Sequence, residues 1–160
     1  TAGFDTSPAM LPIDDQLIKV LKSESDVQKF RRYLETIEFS EGEVISGPAK
    51  EQRMLYFIEQ GSVSIYLTEL NGEKHRIRTT GSGSIVGVAS FFRRGDVGMI
   101  AVSIAGSNGI AHVLTDVAFE RMKSQDPDLA LKFQTYALKY VSERLASNLR
   151  MLSLILRFED

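Results

Sequence analysis

The chain has 160 residues, 43% of them hydrophobic and 25% charged, the composition of an ordinary globular domain with material for one core. Its 19 Lys and Arg stand against 21 Asp and Glu for a net charge of −2, and the basic residues are not gathered into a stripe, which argues against a nucleic-acid partner. The absence of cysteine excludes disulfides, thiolate nucleophiles and cysteine-rich zinc sites, and fits a reducing compartment.

No basic region followed by an apolar run opens the chain, and no stretch of about 18 unbroken apolar residues follows, so a cytoplasmic location is expected. A start at Thr1-Ala2-Gly3 without methionine suggests a piece of a longer polypeptide. Residues 1–13, with Gly3, Pro8 and Pro12 and no periodicity, read as a linker or arm, and residues 14–160 as the domain. Asp14 or Asp15 is placed to cap a short helix bearing Leu17, Ile18 and Leu21. A second helix follows Ser23, with Val27, Phe30, Tyr33 and Leu34 at helical spacing.

From Ile37 the period changes to two. Strands are expected near 37–40, 43–46, 54–60, 62–70, 73–80, 99–105 and 109–114, separated by turn residues such as Glu41-Gly42, Gln60-Gly61 and Ser107-Asn108-Gly109. Asn71-Gly72 predicts a type I′ hairpin, in which both central residues take positive φ. Many short strands at this rhythm, over about 37–115, mean a sandwich or barrel.

Thr115-Asp116 then starts a helix to about Lys123. Asp126-Pro127 starts another, a capping residue followed by proline at the first helical position, so helices occupy about 116–157. The last helix carries two apolar arcs. Phe133, Tyr136, Ala137, Tyr140, Met151 and Phe158 form one, and Leu131, Leu138, Val141, Leu145, Leu149 and Leu152 the other. Leu131, Leu138, Leu145 and Leu152 recur every seven residues, with Val141 and Ile155 at partner positions and Asn148 interrupting them, as in a helix seam. Self-association through Leu131, Leu138, Val141, Leu145 and Leu152 is the reading taken, against the alternative of a helix wrapped in its own domain.

The sequence holds no Gly-x-Ser-x-Gly elbow, no Walker loop and no paired histidines, so no enzyme activity, metal or cofactor is expected. His75 and His112 lie on separate strand-like segments and read as surface or structural residues.

Phe39-Ser40-Glu41-Gly42-Glu43-Val44-Ile45, and the pair of strands turned at Gly61 in Leu55-Tyr56-Phe57-Ile58-Glu59-Gln60-Gly61-Ser62-Val63-Ser64-Ile65-Tyr66, resemble the cyclic nucleotide-binding domain superfamily over roughly 15–155. The resemblance implies a mainly β fold, a double-stranded jelly-roll β-barrel with N-terminal helices and a long C-terminal helix. A narrower resemblance, carried by 75–87, Phe119 to Pro127 and Glu143-Arg144-Leu145-Ala146, is to the domain appended to sulfate-permease-type (SulP) anion transporters, where a STAS domain precedes it. It implies contacts with other domains of a larger protein, and a membrane only through a tethered transporter part.

In superfamily members that bind cyclic nucleotides, a short helix after a glycine turn faces the cyclic phosphate, a glutamate directly after the glycine accepts from the ribose hydroxyl, and an arginine further on pairs with the phosphate. The resemblance places this cassette on Gly87, Val88, Ala89, Ser90, Arg93, Arg94, Val97 and Gly98. Val88 stands where the glutamate belongs, and Val97 or Gly98 where the arginine belongs. Two lost charge-assisted bonds at about 1.5–3 kcal/mol each weaken binding by roughly two to four powers of ten. Ordinary cyclic AMP or GMP binding is therefore expected to be lost, leaving a regulatory or interaction domain. The alternative is a sensor whose Arg93 or Arg94 compensates. Phe91 and Phe92 are read as core or pocket filling, not as base-stacking platforms.

Overall fold

The computed structural model describes residues 12–47, 53–69, 71–92 and 100–157. Two helices come first, α1 (Pro12–Leu21) and α2 (Glu24–Arg32). The first corrects the expected boundary: Pro12 already stands in the helix, Ile13 is buried in the core, and Asp14 and Asp15 sit in the first turn, where negative charge favours a helix N-terminus. The other residues of the expected arm lie outside the described residues. Ser23 caps α2 as its position suggests, its Oγ accepting from the Asp26 N–H at 3.3 Å.

Among the described residues, eight strands follow: β1 (Glu35–Phe39), β2 (Val44–Ser46), β3 (Met54–Gln60), β4 (Val63–Thr68), β5 (Lys74–Thr80), β6 (Ile85–Val86), β7 (Ile100–Ala105) and β8 (Gly109–Thr115). Helix α3 (Val88–Phe92) stands between β6 and β7, and α4 (Asp116–Gln125) and α5 (Pro127–Arg157) close the chain. Strands β1, β8, β3 and β6 form one antiparallel sheet and β2, β7, β4 and β5 the other. This is the expected mainly β architecture with flanking helices and a long C-terminal helix. Only β6 has no counterpart among the expected strands, because two residues, Ile85 and Val86, are too short to show a period.

The hairpin at Asn71-Gly72 forms, but with a different turn. Gly72 has φ +87° and its N–H closes the turn on Glu69, so Asn71-Gly72 are not the central pair of a two-residue type I′ turn. Instead the Gly72 N–H donates to the Glu69 carbonyl at 3.0 Å, the Glu69 N–H donates to the Glu73 carbonyl at 2.8 Å, and Asn71 Oδ1 accepts from the Glu73 N–H at 2.9 Å. One glycine at positive φ closes this longer loop, and the asparagine serves through its side chain.

The first sheet is buried on both faces. Tyr56, Ile58, Ala111 and Val113 point between the sheets, with Phe39, Ile45, Val63, Val86 and Ala105. Leu55, Phe57 and Leu114 point the other way, into a cluster with Leu17, Phe30, Phe119, Met122 and Phe133 of the helices. That double burial explains why Met54-Leu55-Tyr56-Phe57-Ile58 is an unbroken apolar run. The largest buried rings meet in this helical layer: Phe30 lies edge-on to Phe57 at 5.8 Å and tilted against Phe133 at 4.9 Å.

Candidate functional site

The cassette begins where β6 ends. Gly87 has φ +91°, and a Cβ there would stand 3.0 Å from the Met54 carbonyl oxygen, so glycine is required both for the backbone angle and for the close approach to β3. Its carbonyl accepts from the Phe91 N–H at 2.8 Å, closing the single helical turn of α3. Arg53 caps that turn from outside, donating from Nη1 to the Phe91 carbonyl at 3.1 Å while its Nε lies 3.8 Å from Asp116 Oδ2.

The side chains of α3 are divided. Val88 is 6% exposed and belongs to the helical-layer cluster, so the position where the resemblance calls for a glutamate is packed in hydrocarbon. Ser90 is exposed. Phe91 is buried 5.7 Å from Phe119, and Phe92, half-exposed, lies 5.8 Å from Phe119 and 6.1 Å from Phe133. The two phenylalanines thus fasten α3 to α4 and α5. Of the other expected cassette residues, Ala89 contributes backbone to α3, and Arg93, Arg94, Val97 and Gly98 lie outside the described residues.

Across from the cassette the sheet interior is partly polar. Arg78 pairs in register with Ile65, and Thr80 with Val63. Alternation therefore puts Arg78 on the same sheet face as Thr80 and Val63, both buried. Burial, and then the neighbouring charge of Arg144, pull the Arg78 pKa below the ordinary arginine range, with Tyr140 acting in the opposite sense. Tyr140 anchors α5 here: its Oη donates to the Ile85 carbonyl at 3.2 Å and accepts from Arg144 Nη2 at 3.2 Å, and the guanidinium carbon of Arg144 lies 5.7 Å from its ring centre. Neither arginine stood out in the sequence, since an arginine on an edge strand and one on a polar helix turn look like solvated surface.

The remaining chemistry-bearing groups are structural or peripheral. His112 is buried, 3.1 Å from Thr36 Oγ1 and 2.8 Å from Glu59 Oε2, linking three strands of the first sheet. His75 lies at the exposed hairpin end, 3.3 Å from Glu69 and 3.9 Å from Glu73. A hollow of about 280 Å³ between α2 and α4 is lined by Lys29, Arg32, Tyr33, Arg121, Gln125 and Asp126, away from the cassette. There the Tyr33 hydroxyl donates to Asp126 at 2.5 Å, which holds its pKa above the usual phenol value.

The seam residues on α5 stand on one side of the helix and in solvent: Leu131 is 63% exposed, Leu138 68%, Leu145 56% and Leu152 50%, with Val141 at their edge. The other arc divides. Phe133, Tyr136 and Ala137 are buried and Tyr140 is half-buried, whereas Met151, beyond the reach of the barrel, is exposed; Phe158 lies outside the described residues. Among the described residues, no helix is long and apolar enough to cross a membrane.

Known structures share this architecture. A cyclic nucleotide-binding domain from Methylobacillus flagellatus superposes with a TM-score of 0.72 at 17% identity, over 83% of this chain and 78% of that one. The catabolite activator protein of Thermus thermophilus gives 0.65 at 19% identity, over 83% of this chain and 60% of that one. The c-di-GMP responsive global regulator CLP of Xanthomonas campestris gives 0.67 at 19% identity, over 82% and 63%. The chain thus spans less than two thirds of these two regulators, and at such identities the likeness is one of fold. No curated protein matches the sequence, and no sulfate-permease domain is among the structures named here. The family model for the cyclic nucleotide-binding domain matches residues 36–126, more than half of the chain, from β1 through the cassette to the end of α4. The chain belongs to the cyclic nucleotide-binding domain family.

Proposed function

We propose that this domain is a non-catalytic regulatory module that pairs with a second copy of itself through α5, and whose cassette no longer recognises cyclic AMP or cyclic GMP in the ordinary way. The observation that carries the reading is the outer face of α5. Every residue from Leu145 to Arg157 is exposed, yet Leu145, Leu149, Leu152, Ile155 and Leu156 continue the row begun by Leu131 and Leu138. Those 13 residues extend roughly 20 Å at 1.5 Å per residue. A leucine repeat of seven is self-complementary, so an identical helix is the occupant its spacing fits.

Sedimentation of the wild-type chain and of a Leu138→Glu, Leu152→Glu double variant tests the pairing. The wild type is expected at twice the monomer mass and the variant at the monomer mass; two monomers would sink the proposal. Loss of ordinary recognition rests on the buried Val88, which offers no acceptor to a ribose hydroxyl. Calorimetric titration with cyclic AMP and cyclic GMP is expected to show no saturable binding tighter than about 10 μM, the level at which the missing charge-assisted contacts would prove dispensable.

A second reading, an effector sensor, is favoured by the retained Gly87 turn and α3. Since the Xanthomonas regulator is described as responsive to c-di-GMP, that dinucleotide belongs in the same titration. The setting in the cell is cytoplasmic in either reading. The sequence resemblance favours a place beside a sulfate-type anion transporter, and the likeness in fold to the named regulators favours the broader reading of a regulatory domain in a longer protein.

A further inference from the structure

The far end of the β4–β5 hairpin gathers two carboxylates and an imidazole, and strand register puts them there. Leu67 faces His75 and Thr68 faces Lys74 across the pair, and the Glu69 N–H continues the ladder by donating to the Glu73 carbonyl at 2.8 Å. Side chains alternate along a strand, so Glu69 falls on the face of Leu67 and Glu73 on that of His75, which is the same face. The bulge in the pairing lies further along, at Ile65 and Tyr66, and leaves this stretch regular. His75 Nε2 stands 3.3 Å from Glu69 Oε1 and 3.9 Å from Glu73 Oε2, and one ligand atom from each of the three lies within 4.8 Å of the others.

Two carboxylates directly opposite each other repel, which costs stability unless positive charge offsets it. The cations nearest in sequence do not supply that charge. Lys74 and Arg76 alternate to the other face of β5, and among the described residues no lysine or arginine makes an ion pair with Glu69 or Glu73. An imidazole in its neutral form adds a lone pair but no charge, so this face offers two negative charges and three donor atoms. Zinc takes carboxylate and imidazole donors at about 2.0–2.2 Å in a tetrahedron, which sets ligand atoms roughly 3.3–3.6 Å apart. The two spacings at His75 stand at or near that range, and all three side chains are exposed, so small rotations close the remainder.

We propose that Glu69, Glu73 and His75 are the protein ligands of a divalent transition ion, zinc foremost, at the free end of the β4–β5 hairpin. Three protein donors leave a fourth position to water. The imidazole selects against calcium and magnesium, which take oxygen ligands. The ion replaces the repulsion between Glu69 and Glu73 with two attractions and fastens the last rung of the hairpin, clipping β4 to β5. The site contains no residue of the cassette or of the α5 seam, so it stands apart from both self-association and cyclic nucleotide recognition.

The test is titration calorimetry of the whole chain with zinc chloride in a buffer that does not chelate, with calcium chloride as the comparison. One zinc per chain is expected, saturating below about 100 μM, with calcium roughly tenfold weaker or more. His75→Ala is expected to weaken zinc binding by roughly tenfold or more, and Glu69→Gln or Glu73→Gln by roughly fivefold. Because all three side chains are exposed, these variants should keep the wild-type Tm without metal or exceed it slightly. Zinc should shift the ring signals of His75 in a nuclear magnetic resonance spectrum and leave in place those of His112, which is buried 2.8 Å from Glu59. Zinc binding that His75→Ala leaves intact, a calcium affinity equal to that for zinc, or no saturation up to about 1 mM zinc overturns the proposal. The Leu138→Glu, Leu152→Glu variant should bind zinc as the wild type does; one zinc per two chains, lost together with pairing, would overturn a site made by a single chain.

Discussion

From Leu129 to Tyr140, α5 lays Leu129, Ala130, Phe133, Tyr136 and Ala137 into the helical layer, while from Leu145 to Arg157 the same helix, with five leucines against three in the inner stretch, is exposed throughout. The inner part is held by shape, with Phe133 against Phe30 and Phe119 and Tyr140 against Ile85. Among the described residues, the outer part has only its helical hydrogen bonds and its spacing. Helices of that length are marginal alone in water, so the outer turns depend on continuity with the anchored turns and on whatever covers their leucines. One helix thus supports two roles, folding the domain through its aromatic inner stretch and meeting another surface through its leucine-rich outer one.

The sharpest way to break this contrast is truncation on each side of it. Phe133→Ala is expected to cost about 3–5 kcal/mol, lowering Tm by on the order of 10 °C, whereas Leu149→Ala should change the stability of the monomer by less than about 0.5 kcal/mol. Equal losses in chemical unfolding at monomer concentrations would erase the distinction. Next in size is Val88→Glu, which places a carboxylate in the layer shared with Phe133. A loss of about 2–4 kcal/mol is expected, without recovery of cyclic nucleotide binding. A stable variant that binds cyclic AMP would show Val88 to be a simple vacancy in an intact site.

The inner half also has a pH signature. Burial, with Tyr140 and Glu143 nearby, raises the Tyr136 pKa well above 10 in the folded chain, and burial raises that of Tyr56. Above pH 10 the unfolded chain releases these protons and the folded chain keeps them, so stability is full below pH 10 and falls as pH rises, by up to about 1.4 kcal/mol per pH unit for each group. Tyr136→Phe should flatten the alkaline limb of a Tm profile, leaving the parts due to Tyr56 and Tyr33; an unchanged slope would place the Tyr136 hydroxyl in contact with solvent. The smallest effect belongs to the exposed Lys139–Glu143 pair, 4.0 Å apart, where Lys139→Gln should cost about 0.5 kcal/mol at most.

Much of the fold was legible because its signals are local. The period of two from Ile37, the caps at Ser23 and Thr115 and the proline at Pro127 each act within a few residues, and the structure uses them nearly where they stand. The start of α1 was missed because a proline at a helix start also looks like a loop residue, and β6 because its two residues are held by β3 and not by a pattern of their own. Asn71-Gly72 marked the hairpin but not the turn, since the turn bond runs from Gly72 back to Glu69 and so spans one residue more than a two-residue loop.

The site was legible only in outline. Gly87 announced its turn through backbone need alone, but the sequence of Val88 said only that an acceptor was missing, not that the side chain faces the helical layer. Tyr140 and Ile85 lie 55 residues apart, and nothing local says that a helix and an edge strand bring them together. Contacts made by topology are silent in any short window.

The burial of β3 on both faces has a consequence in time. Its backbone is hydrogen-bonded to β8 on one side and β6 on the other, and its side chains seal it above and below. Such amides exchange with solvent only when the whole domain opens, whereas those of the outer turns of α5 exchange by local fraying. In a hydrogen-exchange experiment Leu55 to Ile58 should be the last to take up deuterium, and any partner of α5 would be seen first as slowing at Leu149 and Leu152. The molecule thus carries its slowest clock at the centre of the first sheet and its fastest at the end of the helix.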